Sequence, residues 1–355
     1  MGDARGIDLL PKQSKTRGID VTFLILGAIA VLAAFIFYLV RRESIDVNDA
    51  LRARADGRFV QLTDGMTHYQ VAGPADGPVL VFLAGATLSL WIWDGLFEKL
   101  AAIGYRVIRF DYFGRGYSDR PQIDYTMQVF HRQLTDLLKV LDVSGPVTLV
   151  PLAFGCPIAA DLANKSPAVV RSICMIAPDG FGVPLSPLMK LCFKKLIGPP
   201  LFQMFGSKAL EARLVEYTDD KALIEALRSK YVPELAFKGF KAALTSSLRH
   251  VPIHDAKSLY RDLNIGSSAP LLVIWGTADH VTAIPSQAYV NELFSRAKIH
   301  FMDGVGHLPH WECLDDTVAI MDGFLKRELA QDKRLSLLSP SANRNRDHSG
   351  EACKG

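Results

Sequence analysis

Short strand-like runs recur along the chain: Val79-Leu80-Val81-Phe82-Leu83, which is apolar throughout, then Arg106-Val107-Ile108-Arg109-Phe110, Val147-Thr148-Leu149-Val150, Ser172-Ile173-Cys174-Met175-Ile176, Leu271-Leu272-Val273-Ile274-Trp275 and Lys298-Ile299-His300-Phe301-Met302. A strand that is apolar on both sides of its pleat must be covered on both faces, which is the situation of a parallel sheet wrapped by helices. Helical periodicity, with apolar residues three and four apart, fills the gaps at 91–103, 127–141, 155–164, 285–295 and 311–330. Alternation of this kind predicts an α/β fold with a doubly wound, mostly parallel sheet. Ahead of it, 58–63 and 67–72 read as a hairpin turning at Asp64-Gly65.

Two stretches break the rhythm. Residues 180–260 are rich in Phe, Leu, Met and Lys, carry Pro184, Pro187, Pro199, Pro200 and Pro233, and contain no clear strand. They read as a helical cap inserted into the fold, either a plain insertion or a lid over a site at the carboxyl edge of the sheet, where open α/β sheets bind ligands. Residues 21–40 carry no charge and are built from Val, Leu, Ile, Ala and Phe. A helix of about 20 residues rising about 1.5 Å each reaches about 30 Å, the thickness of a bilayer's hydrocarbon.

Arg41 and Arg42 close that segment directly, where a cleavable signal would need small residues, so the expectation is one uncleaved transmembrane helix. Basic residues are nearly balanced on its two sides, which leaves the orientation open. The expected organisation is a polar segment 1–20, a membrane helix 21–40, a juxtamembrane linker 41–57, a folded domain 58–329 and a disordered tail 330–355.

A net charge of +3 over 355 residues argues against a nucleic-acid surface. The cysteines Cys156, Cys174, Cys192, Cys313 and Cys353 have no C-x-x-C spacing, and most stand in apolar runs as buried free thiols do. No metal or cofactor is expected: His307 and His310 are three apart, but Leu308-Pro309 disfavours a helix there and no third ligand is evident.

Four local signatures carry a resemblance. Phe82-Leu83-Ala84-Gly85-Ala86, with Trp91 and Trp93 beyond it, follows one apolar strand; Asp111-Tyr112-Phe113-Gly114-Arg115-Gly116-Tyr117-Ser118 follows the next. Trp275-Gly276-Thr277-Ala278-Asp279 and Gly304-Val305-Gly306-His307 follow the last two. In this order the chain, over about 58–329, resembles the α/β-hydrolase family, with a layout similar to membrane-anchored monoacylglycerol-lipase-like esterases. The resemblance implies His307 and Asp279 as the base and acid of a triad, and backbone amides of Ala86 and Phe154 as the oxyanion hole. Asp179 is a weaker alternative acid.

At the family's nucleophile elbow the pattern departs. The strained strand–helix turn reads Pro151-Leu152-Ala153-Phe154-Gly155-Cys156, which puts Ala153 on the nucleophile position. A methyl group offers no attacking atom, and Cys156 lies three residues on, where the helix should turn it into packing. Losing a serine nucleophile costs on the order of 10⁶ in turnover, about 8 kcal/mol of barrier. Pro151, Leu152, Cys156 and Ala84 also depart from the family pattern, which favours natural divergence over a single engineered change.

Three functions are consistent with this: a membrane-anchored hydrolase with weak or non-standard activity through water activated by His307; a non-catalytic protein binding a small apolar or ester-like molecule; or nucleophile-free chemistry run from His307 and Asp279.

Overall fold

A computed structural model describes residues 21–41, 43–182, 187–192, 194 and 197–338. They divide into two units, 1–42 and 43–355. In the first, Val21–Arg41 forms helix α1, whose described side chains are mostly apolar and, apart from half-buried Tyr38, exposed, with Phe23 and Val31 both more than 70% accessible. Among the described residues no helix is long and apolar enough to cross a membrane. The span expected over 21–40 falls on this exposed helix, whose side chains are described only for 22–38.

The second unit is an eight-stranded sheet in the order β1-β2-β4-β3-β5-β6-β7-β8. Its strands are β1 (Arg58–Leu62), β2 (Gly65–Ala72), β3 (Val79–Leu83), β4 (Arg106–Phe110), β5 (Val147–Pro151), β6 (Val170–Ile176), β7 (Leu271–Gly276) and β8 (Lys298–Met302). Only β2 runs against its neighbours; from β4 through β8 every pairing is parallel. The expected hairpin closes with Leu62 opposite Gly65. The runs of β3 to β7 are covered on both faces as predicted, with β5 and β7 buried at every position, whereas the edge strand β8 is exposed at Lys298 and only partly covered beyond it.

Flanking helices are α2 (Asp49–Arg52), α3 (Leu96–Ala102), α4 (Met127–Val140) and α5 (Gly155–Lys165). Between β6 and β7 the described residues form α6 (Pro187–Cys192), α7 (Gly198–Ala212), α8 (Lys221–Glu234), α9 (Phe240–His250) and α10 (Lys257–Gly266), and no strand. This matches the helical insertion expected at 180–260. The chain then adds α11 (Gln287–Leu293), α12 (Pro309–Glu312) and α13 (Leu314–Leu338).

Two boundaries differ from expectation. Helix α13 continues through 330–338, where good helix formers follow its first turns; residues 339–355 and 1–20 lie outside the described residues. The linker 41–57 is not free either. Glu43 is buried and accepts from the Gly239 and Lys241 amides at the start of α9, and Ile45 bridges to Phe237. A buried carboxylate collecting amide protons at a helix start is worth more than a solvated one, so this segment is tied to the insertion.

A second tie joins the insertion to the loop after β3. Glu234, at the end of α8, is buried and accepts from the Ser89 hydroxyl and the Trp91 indole. Burial, with Asp111 adding to it, pushes its carboxyl up to about 8 against the opposing pull of Ser89, Trp91 and Arg120. Below the ordinary value of 4.5 the group is protonated in folded and unfolded chains alike; between there and about 8 only the unfolded chain ionises. Stability therefore falls with rising pH across that window and levels off above it. Glu234→Gln, neutral throughout, is expected to flatten the thermal midpoint between pH 5 and 8 and to raise it at pH 8. An unchanged slope in urea or thermal unfolding would show that Glu234 is not the group responsible.

Candidate functional site

Parallel strands deliver all their carboxyl ends to one edge, so the loops after β3, β5, β6, β7 and β8 converge there. Each contributes to one cavity of about 80 Å³: Gly85 and Ala86 after β3, Ala153 and Phe154 after β5, Asp179 after β6, Thr282 after β7 and His307 after β8. The insertion closes the outer wall with Phe202, Leu210, Arg213, Tyr217, Leu244 and Leu248. His307, Ala153, Ala86 and Phe154 thus line one cavity, and Asp279 is hydrogen-bonded to the His307 ring.

Asp279 and His307 form a buried pair. The His307 Nδ1–H donates to Asp279 Oδ2 over 2.9 Å, and neither side chain is more than a few per cent exposed. Asp279 also accepts from the amides of Val281 and Thr282 at 2.8 and 2.9 Å and from the Thr282 hydroxyl at 2.8 Å. Burial alone would raise its carboxyl; His307 and the Thr282 donors outweigh that and hold it below the usual carboxylate value. An ionised acceptor on Nδ1 fixes the imidazole's tautomer and leaves Nε2 as its free nitrogen. His307 is further held by its own amide, which donates to the Tyr217 carbonyl over 2.8 Å, and by the Tyr217 ring set edge-on to it.

The loops bearing the pair are fastened together through Gly276. The amides of Thr277 and Ala278 donate to the carbonyls of Met302 and Val305, both over 2.9 Å. A Cβ at 276 would collide with the carbonyl oxygens of Val305 and Gly306. Gly276→Ala is expected to cost about 1–3 kcal/mol in urea unfolding by forcing these loops apart; a midpoint equal to the native chain's would contradict this packing.

The turn after β5 has the shape expected of an elbow. Ala153 is one of the non-glycine residues with positive φ, at +44°, and is nearly buried. Its amide donates to the Ile176 carbonyl over 3.0 Å, and Gly155 and Cys156 close the turn onto Leu152 and Ala153. Gly155 is required: a Cβ there would meet the Leu83 and Ala84 carbonyls of the β3 end. The left-handed conformation costs an L-residue about 1 kcal/mol or more and persists only where its surroundings enforce it. Neither the Ala86 nor the Phe154 amide makes a hydrogen bond to a described residue.

Cys156 is buried with its thiol toward the Pro151 carbonyl, 3.4 Å away, and burial pushes it well up, so it packs as a structural thiol. Asp179, the alternative acid, is not the partner of His307. It lines the cavity instead, where burial lifts its carboxyl to about 6 against the Gly180 amide, His307 and Arg213. His310 turns away, its Nε2 on the Ile92 carbonyl at 3.0 Å, and burial depresses it to about 3. No group of three or more potential metal ligands occurs among the described residues.

Sequence reasoning did not find Thr282, Arg213 or Tyr217. The spacing Asp279 to Thr282 is that of a side chain capping its own turn, which is a readable signal. The two insertion residues had none, because a cap's packing on the edge is a tertiary event.

A sequence model described as the alpha/beta hydrolase fold matches residues 78–313, more than half of the chain. The chain belongs to the α/β hydrolase fold family. A protein of Mycobacterium tuberculosis with no assigned function is 22% identical to this family member over 273 residues, covering 72% of this chain and 77% of its own. Lipase 3 of a Moraxella species is 24% identical over 234 residues, 63% of this chain and 71% of that one. A solved hydrolase of Pseudomonas aeruginosa has a TM-score of 0.63 at 22% identity and covers 77% of this chain and 99% of its own. At that identity the likeness speaks to the fold alone.

Proposed function

We propose that this is a membrane-associated member of the α/β hydrolase fold family that acts on a small ester-like molecule without an elbow nucleophile. On this reading Ala153 stands where the family's attacking residue belongs, and no covalent acyl-enzyme forms. His307, oriented by Asp279, takes a proton from water or from the bound molecule, and the amides of Ala86 and Phe154 receive developing negative charge. The insertion acts as the lid. One observation carries the reading: the His307–Asp279 pair is preserved at 2.9 Å against a cavity whose strained turn bears only a methyl group. A pocket kept only for binding has no need of an ionised acid fixing the tautomer of a buried imidazole.

The lipase relative supports the ester-like substrate class, and the exposed apolar side chains of α1 support attachment to a bilayer. The test is hydrolysis of short p-nitrophenyl esters by the native chain and by His307→Ala. Slow turnover that disappears in the variant is expected. Equal rates would leave a binding protein, the second reading, to be judged by thermal stabilisation with an unhydrolysed ligand.

A further inference from the structure

The turn after β6 brings Asp179 to the cavity wall, and nothing in the hydrolytic reading uses its carboxyl. The backbone is strained on both sides of it. Ala177 is left-handed at φ +46°, and Gly180 takes φ +108°, where a Cβ would collide with the Ala256 methyl. Such conformations persist only where the surroundings impose them. The Asp179 amide donates to the Ala153 carbonyl over 3.3 Å, the Tyr260 hydroxyl donates to the Asp179 carbonyl over 2.5 Å, and the Ala256 amide donates to the Gly180 carbonyl over 2.9 Å. These ties fix the direction of the side chain before any ligand arrives.

Asp179 is more than nine-tenths buried, and its hydrogen bonding is incomplete. Oδ1 accepts from the Gly180 amide over 3.0 Å, while Oδ2 has no partner among the described residues, and no cation there lies within ion-pair distance. The other polar side chains of the wall are engaged: Thr87 with Tyr217 at 3.2 Å, Thr282 and His307 with Asp279, and Arg213 with Glu216. A buried oxygen left without a bond is costly, and a ligand group that meets it recovers that cost. Burial lifts the carboxyl to about 6 against the Gly180 amide, His307 and Arg213, so around neutrality it passes between protonated and ionised forms. An ammonium only donates and a carbonyl only accepts, whereas a hydroxyl does either. His307 and Arg213 already act on Asp179 electrostatically, which leaves a further cation little to gain.

We propose that the cavity is built for a ligand bearing a hydroxyl group, which bonds Asp179 Oδ2 while the ligand's short carbon chain lies against Leu210, Leu248, Ile253 and Val281. The inference rests on the hydrolytic reading for the ester and names its acyl part, a short hydroxyacyl group. Asp179 is then a specificity-determining residue and takes no part in the proton transfers of His307. An analogue without the hydroxyl leaves Oδ2 bare. A site that bonds a substrate hydroxyl rejects the analogue lacking it far more strongly than an apolar pocket separates two chains one methylene apart.

Calorimetric titration of the full chain at about pH 7.5 with butyramide, 3-hydroxybutyramide and 4-hydroxybutyramide tests this. Amides resist hydrolysis, so binding is read apart from turnover. One of the hydroxylated amides is expected to bind at least tenfold more tightly than butyramide. Asp179→Leu should erase that preference with butyramide bound no more weakly, while Asp179→Asn, which both donates and accepts at the same place, keeps most of it. Equal affinity for the three molecules in the native chain, no binding of either hydroxylated amide, or a preference that survives Asp179→Leu would overturn the proposal. The first two results need no variant to fold. Failure here is separable from failure of the hydrolytic reading. A hydroxyl preference in a chain whose p-nitrophenyl ester turnover is untouched by His307→Ala sinks only the function. Turnover that His307→Ala abolishes, with no hydroxyl preference, sinks only the ligand inference.

Discussion

Ala153→Ser is expected to raise p-nitrophenyl butyrate turnover at least about a hundredfold over the native chain, which recovers part of the roughly 10⁶ that a serine nucleophile is worth. The gain follows from what already stands around position 153. The turn holds the left-handed φ of +44° without a serine to justify it, so the substituted side chain inherits its direction from the backbone. His307 is already paired with Asp279, and the Ala86 and Phe154 amides are uncommitted. The recovery stays partial because Leu152 and Leu248 share the cavity's limited space of about 80 Å³. A variant that folds with the native melting temperature and gains nothing would mean that 153 does not face the imidazole.

The second large effect is Asp279→Asn, best read in the Ala153→Ser background, where turnover is expected to fall by about 10² to 10⁴. An asparagine still accepts the Val281 and Thr282 amides through its carbonyl, so the loop keeps its shape and unfolding should move by only about 1 kcal/mol. Its amide nitrogen, however, faces Nδ1 as a donor. The imidazole answers by placing its proton on Nε2, the nitrogen that must accept. A large loss of activity with little loss of stability separates this tautomer argument from simple damage to the site. A loss of both in proportion would assign Asp279 a structural task only.

The sheet and the site were unevenly legible. The parallel strands were readable because a strand buried on both faces cannot hide its apolar run, and β5 and β7 are buried along their whole length. The positions of Asp279, His307 and Ala153 came from the resemblance of the loops after those strands to the family's, and parallel strands carry those loops to one edge. Asp179 and Asp279 could not be ranked from their spacing; the choice rests on which carboxylate reaches Nδ1, a distance set by the Gly276 packing. Arg115 stands inside a recognised glycine-rich turn, yet its contact with Ala86 spans two loops and leaves no mark in the sequence. The packing of the 43–46 segment against α9 escaped for a similar reason, because polar residues that look solvated can be buried once amides are there to meet them. Helix α1 was legible as apolar and helical, while its relation to a membrane is a question about its surroundings.

The account depends on there being no attacking atom on the Nε2 side of His307, the Thr282 hydroxyl lying 3.3 Å away on the Nδ1 side with Asp279, and intact-mass spectrometry after exposure to a fluorophosphonate tests that most directly. The native chain is expected to keep its unmodified mass, while Ala153→Ser gains one phosphonyl group and loses that gain when His307→Ala is added. A native chain that takes up the probe at any residue lining the cavity would contradict it.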